Sequence, residues 1–129
     1  MLDTNTASYA IKGNAAVRKH LLRTAMQQVC ISVVTEAELL FGTARRPDNA
    51  GLRTAVQEFL LRIGILSWDS EAAHQYAYLR ALLERRGKAI GNMDLLIAAH
   101  ALAANLTLVT NDQVFHQVSG LTIVNWSRR

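Results

Sequence analysis

A single cysteine, Cys30, excludes an internal disulfide in this chain of 129 residues. A reducing compartment, most simply the cytoplasm, is the expectation that follows. No apolar run approaches the roughly 20 residues that a membrane helix needs. Nor does the start read as a secretory signal, because Asp3 falls where a basic segment should be and no long apolar stretch follows. A soluble protein with no membrane partner is expected. Repeats, low-complexity tracts and Gly/Ser-rich linkers are missing too, and the single proline, Pro47, sits in the polar stretch from Thr43 to Asn49, which reads as a surface loop. The four histidines lack a spacing such as H-x-x-x-H, and no Ser-His-Asp or Cys-His arrangement stands out, so neither a histidine metal cage nor a side-chain nucleophile is expected.

Half of the residues are hydrophobic, enough for a continuous core without staples. The length fits one domain spanning residues 1–129, and a domain of this size buries roughly two-thirds of the surface of its unfolded chain. Fourteen Lys and Arg against ten Asp and Glu give a net charge of +4. That balance favours a polyanionic partner.

Helical periodicity carries most of the chain, interrupted by short apolar runs. Met1 to Thr4 reads as the end of a short strand. Ala7–Ile11 and Ala15–Gln27 read as helices, and the β-branched run 29–33 as a buried strand. Thr35 is a suitable N-cap with Glu38 three residues on, a capping-box spacing; this helix is expected to reach Phe41 and to close at Gly42. Leu52, Val56, Phe59, Leu60 and Ile63 mark a helix over 51–63, and 65–68 a strand. Asp69 or Ser70 starts a longer helix with the stripe Ala72, Tyr76, Leu79 and Leu83, ended by Gly87. From Asn92 or Met93 a helix that is apolar almost all round leads to a strand at 106–110. A short helical turn at 114–118 and a last strand at 121–124 complete the chain. Strands that are apolar on both faces and alternate with helices imply a parallel sheet covered on both sides, an α/β sandwich. Such sheets place their sites at the carboxyl ends of the strands.

Four of the ten acidic residues occupy unusual positions. Asp3 ends the first strand and Asp112 follows the penultimate one. Glu38 and Asp94 lie in the expected first turns of helices. Singly, an acid in a first turn complements the helix dipole, and an acid after a strand forms a turn. Together, at strand ends and helix starts of one α/β domain, they point to a common pocket. Four converging carboxylates repel one another, and a buried unpaired ion costs several kcal/mol. A divalent cation compensates, and Mg²⁺ or Mn²⁺ prefers such oxygen ligands. It can polarise a phosphate and activate a water for in-line attack. Thr4, Asn5, Thr110 and Asn111 are suited to hydrogen-bond around the ligands.

These residues bring a family into view. Met1-Leu2-Asp3-Thr4-Asn5, the S-x-x-T-x-x-E-L-x-x-G pattern from Ser32 to Gly42, the D-x-x-I-A-A-x-A pattern from Asp94 to Ala101, and Val109-Thr110-Asn111-Asp112 through Phe115 resemble the four motifs of PIN-domain nucleases. In detail the chain resembles the VapC toxins of bacterial toxin–antitoxin pairs. The resemblance covers nearly the whole chain, including the ending from Val118 to Trp126. It implies a three-layer α/β/α sandwich around a mainly parallel five-stranded sheet. It also implies an Mg²⁺-dependent (or Mn²⁺-dependent) endoribonuclease with catalytic and metal-holding Asp3, Glu38, Asp94 and Asp112. The implied substrate is RNA, with tRNA as the expectation, and cleavage would inhibit translation. The implied partners are a small VapB-type antitoxin and a second copy of the chain, in a homodimer and a toxin–antitoxin hetero-oligomer. The first strand, with two residues before Asp3, is shorter than is common in the family. Of the two acids in the second motif, the spacing to Gly42 selects Glu38 over Glu36.

Lys12, Arg45, Arg46, Arg85, Arg86 and Lys88 are candidate contacts to an RNA backbone, the Arg85-Arg86-Gly87-Lys88 run because it lies shortly before Asp94. Cys30 reads as an inert core thiol, and Trp68, Tyr76 and Tyr78 as core before base-stacking residues. Leu21, Leu22 and Met26 suit either core or a partner surface. An aspartate-nucleophile phosphatase also begins with an Asp after a first strand, but it needs a second acid two residues on, where this chain has Asn5, and a suitable lysine. The alternative function is a catalytically weak PIN-like module that acts on DNA together with an antitoxin; the presence of all four acids argues against it.

Overall fold

The computed structural model describes residues 1–128, and a parallel sheet runs through its centre. Strand β1 (Cys30–Ser32) pairs with β2 (Gly64–Leu66), and β3 (Leu108–Val109) pairs with β4 (Ile123–Val124), both in parallel. Leu2 joins the two pairs, bridging in parallel to Ile31 on one side and to Val109 on the other. The resulting order is β2-β1-Leu2-β3-β4, a parallel sheet with five chain segments. The central one is a single bridging residue, consistent with the expected short first strand. Main-chain bonds hold it: Leu2 N–H donates to the Cys30 carbonyl at 2.9 Å, and Val109 N–H to that of Met1 at 2.8 Å.

Side chains alternate across this sheet with a period of two, and each face has its own core. Met1, Leu108, Cys30, Leu66 and Ile123 pack with α5 (Ser70–Arg85), α6 (Asn92–Ala103) and Phe115. Leu2, Val109, Ile31, Ile65 and Val124 pack on the other face with α1 (Thr4–Ile11), α3 (Val33–Ala44) and α4 (Ala50–Arg62), where Leu21 of α2 (Ala15–Arg23) also reaches. The molecule is therefore the three-layer α/β/α sandwich expected. As its all-round apolarity requires, α6 is the buried helix: Leu95, Ile97, Ala98, Ala99, His100 and Ala101 are all inaccessible or nearly so.

Several local expectations need correction. The first helix begins at Thr4, not Ala7, because the Asp3 side chain accepts from Thr6 N–H and caps it. The second stops at Arg23, where Thr24 turns its hydroxyl onto the His20 carbonyl at 2.8 Å; a separate 3₁₀ turn covers Met26–Gln28. Ser32, not Thr35, caps α3, its Oγ accepting from Val34 N–H at 3.0 Å. Thr35 is instead fully buried inside the helix. Glu38 consequently lies beyond the first turn, which holds Glu36. The helix also continues past Gly42 to Ala44. A glycine with ordinary helical dihedrals weakens a helix without ending it. At Gly87, with φ +65°, the expected left-handed stop after α5 does occur.

Candidate metal centre

Because every strand is parallel, all carboxyl ends lie along one edge, and the four candidate acids belong to segments that meet there. Asp3 directly follows the Leu2 bridge and is buried, 3% exposed. One of its oxygens, Oδ1, is spent on capping α1. Asp112 follows β3, and its Oδ1 accepts from Val114 N–H at 2.9 Å to cap the 3₁₀ turn Gln113–Gln117. Glu38 reaches the edge from α3, where its Oε1 accepts a 2.6 Å hydrogen bond from Thr4 Oγ1. Asp94, half-buried, sits in the first turn of α6. That helix runs toward β3, so its start needed a long preceding segment to reach this edge. The 16-residue α5 and the link through Gly87 supply it.

Electrostatics tie the four together. Burial first, then the charges of Asp112, Glu38 and Asp3, push the Asp94 carboxyl from its ordinary 3.8 up to about 6. Like charges raise a carboxyl in this way only at short range. Among the described residues the single ion pair is Arg80–Glu84, so no protein cation neutralises any of the four. Hard-oxygen donors, unpaired and mutually repelling, fit Mg²⁺ or Mn²⁺. With Asp3, Glu38 and Asp112 each committing one oxygen to the protein, the free oxygens suit an ion that keeps several of its waters. Among the described residues no group of three or more His, Cys, Asp or Glu stands as one that could hold a metal ion, so the four acids are neighbours in charge rather than a formed cage.

The supporting residues divide. Thr4 orients Glu38 and stands 3.3 Å from Thr35 Oγ1. Thr110, 2% exposed, accepts from Asp112 N–H at 3.0 Å and so sets the turn that aims that acid. Asn111 instead donates to Tyr9 Oη at 3.1 Å, and Asn5 is exposed, with no side-chain hydrogen bond among the described residues. Arg85 and Arg86 project from the end of α5 into solvent, whereas Lys88 borders a small cavity with Asn92 at the start of α6. Trp68 is a structural residue, its Nε1–H donating to the Leu96 carbonyl at 3.0 Å. Leu22 is 89% exposed and thus no core residue.

One pair escaped sequence reasoning. His100 Nδ1 lies 2.8 Å from Ser32 Oγ, both buried, and the pair ties α6 to the end of β1. Burial lowers the His100 pKa, with the Asp69 charge and the Ser67 backbone acting in the opposite direction. The ring is thus held neutral, as a structural brace. The only sequence hint was a serine at a strand end, which also reads as a simple cap.

The chain is similar to known proteins along nearly its whole length. The PIN domain family pattern matches residues 1–121. The chain is 34% identical to the "tRNA(fMet)-specific endonuclease VapC" of Shigella flexneri, over 98% of this chain and 97% of that one. Among solved structures it is similar to VapBC2 from Rickettsia felis bound to a promoter DNA fragment, with a TM-score of 0.91 and 36% identity, covering 98% of this chain and 97% of that one. It is likewise similar to DNA-bound VapBC from Salmonella typhimurium, with a TM-score of 0.92 and 33% identity, covering 98% and 96% of the two chains. With sequence pattern, near-complete coverage and backbone all in agreement, the chain belongs to the PIN domain family, among its VapC members.

Proposed function

We propose that the chain is a metal-dependent endoribonuclease, the toxin of a toxin–antitoxin pair, which cuts RNA at the edge formed by Asp3, Glu38, Asp94 and Asp112. The observation that carries this reading is that all four acids belong to segments meeting at the carboxyl ends of a parallel sheet, where the charges of Asp112, Glu38 and Asp3 act on Asp94 and none of the four is ion-paired among the described residues. Mg²⁺, or Mn²⁺, when bound would polarise a phosphodiester and lower the pKa of a water for hydrolysis. The protein's part is positional. Asp3, Glu38 and Asp94 would hold the ion, and Asp112 would complete the site. Thr4 keeps Glu38 in its rotamer. The carboxylates would orient the attacking water and take its proton.

The similarity to an endonuclease named for tRNA(fMet) supports tRNA as the substrate class and arrest of translation as the outcome. The VapBC complexes support a VapB-type antitoxin as partner. Their DNA-bound state also supports a toxin–antitoxin hetero-oligomer that sits on DNA. A tRNA substrate is consistent with the cytoplasm as the compartment of the proposed activity. The test is direct. Purified protein is incubated with total RNA and with tRNA, in Mg²⁺ and in EDTA, and the cleavage ends are mapped. Cutting at defined positions should require the cation and vanish in Asp3→Asn and Asp94→Asn chains that remain folded. Cutting that persists in EDTA or in both variants would refute the metal-centre reading.

A further inference from the structure

Gly42 sits inside α3 with open space above it: a Cβ built there meets nothing within 4 Å. Glycine in a helix interior costs about 0.5–1 kcal/mol relative to alanine, so packing does not account for this one. The space it leaves is a cavity of about 180 Å³, which Glu38 and Thr4 border on the side of the acidic edge. Lys12, Arg45 and Arg46 border it as well, with the Ser8 hydroxyl. All three cations are exposed and none forms an ion pair among the described residues. Lys12 ends α1 and Arg45 ends α3, so two helices that begin near the acidic centre carry their positive charge to the same hollow. Along α3, Glu38, Phe41, Gly42 and Arg45 recur at helical spacing, and the Arg45 guanidinium lies 5.4 Å from the ring centre of Phe41, itself 63% exposed.

We infer that this cavity is an anion subsite that seats a backbone phosphate of the RNA strand beside the scissile one. The claim rests on the ribonuclease reading and deepens it, by assigning the strand's path to the Lys12–Arg45–Arg46 side of Glu38. Charge supplies the attraction, since three cations outweigh the one bordering carboxylate. Shape supplies the access, since Gly42 keeps the floor of the hollow free of a side chain. The exposed Phe41 ring, backed by Arg45, offers a face on which a neighbouring base can stack.

Binding of a short fluorescent single-stranded RNA, read by anisotropy on the Asp94→Asn chain so that cleavage cannot consume the probe, tests this. Lys12→Ala, Arg45→Ala and Arg46→Ala should each weaken binding about three- to tenfold and lower the slope of log affinity against log salt by about one. Gly42→Leu should weaken binding with the slope unchanged, and Lys19→Ala on α2 serves as the charge-matched control. In the otherwise unsubstituted chain the same cation substitutions should raise KM and leave kcat in place. If all four substitutions match the Lys19→Ala control in folded protein, the subsite is refuted. It is refuted too if they weaken capture of the purified antitoxin but not of RNA. Cleavage by the unsubstituted chain separates the two claims: cutting with unaltered RNA binding in the variants sinks the subsite alone, whereas loss of RNA binding in the variants without any cutting by the parent sinks the ribonuclease reading and reduces the subsite to an RNA-phosphate hollow with no scissile neighbour.

Discussion

Replacing Asp94 by asparagine should stabilise the fold while abolishing cleavage. Asp94 has an ordinary pKa of 3.8 and one of about 6 in the folded chain. A group whose folded pKa is raised favours the native state while it is protonated there. That advantage is fully present at and below about pH 4, where the unfolded chain also keeps its proton. It drains away as pH rises through 6, when the folded carboxylate must ionise among Asp112, Glu38 and Asp3. The gap corresponds to about 3 kcal/mol at roughly 1.4 kcal/mol per pH unit. Asp94 is only half-buried, so solvent screening reduces this to about 1–2 kcal/mol. Loss of a favourable first-turn charge in α6 takes back a further ~0.3–1 kcal/mol. The net expectation is a gain of about 1 kcal/mol at pH 7.5 in EDTA, a rise in Tm of roughly 3–5 °C for a chain of this size. At pH 3.5 the gain should be near zero, because Asp94 then keeps most of its proton in both states and asparagine and the protonated acid are close in shape. Urea denaturation of both chains at the two pH values measures it. Added Mg²⁺ should then raise the stability of the unsubstituted chain more than that of the variant, since a ligand that binds only the native state stabilises by mass action. A variant that is equally or less stable at pH 7.5, or whose gain is the same at both pH values, would refute the account of four mutually repelling carboxylates.

Two further outcomes follow from the same edge. The affinity for Mn²⁺, followed by calorimetry, should fall as pH drops below about 6, approaching tenfold per pH unit, because Asp94 must lose its proton to bind; an affinity that is flat from pH 5 to 7.5 would remove Asp94 from the ligand set. Ser32→Ala should cost about 2–4 kcal/mol in urea denaturation, since it deletes the α3 cap and strands the buried His100 ring nitrogen. A loss under 1 kcal/mol would show that the Ser32–His100 brace contributes little.

The boundary positions of Asp3, Asp94 and Asp112 were legible in the chain because their signals are local, whereas Glu38 was expected in a first turn that it does not occupy. Asp3 and Asp112 stand where a short apolar run gives way to polar turn residues, and Asp94 opens a run too apolar to be anything but a buried helix. The layer arrangement was legible for the same reason, since strands apolar on both faces alternate with amphipathic helices. Cap identity was less so. Ser32 and Thr35 are both good N-cap residues in the same short stretch, and local chemistry does not choose between them. The choice fell to Ser32 because β1 ends there against Leu2 and because His100, 68 positions away, meets the serine hydroxyl.

What the amino-acid order determined by itself was periodicity, turn chemistry and the presence of acids at element boundaries, all energies that act within a few residues. What only the tertiary structure decided was which distant groups share a space. The Leu2 bridge brings the carboxyl ends of β1 and β3 to either side of Asp3, and that register turns separate acids into one electrostatic unit. The same packing sets Lys12 of one helix beside Arg45 and Arg46 of another, across an open glycine, while Arg85 and Arg86, closer in sequence to Asp94, face solvent. Sequence proximity ranked these cations by position along the chain, whereas the fold ranks them by distance through space, which is what a charge responds to.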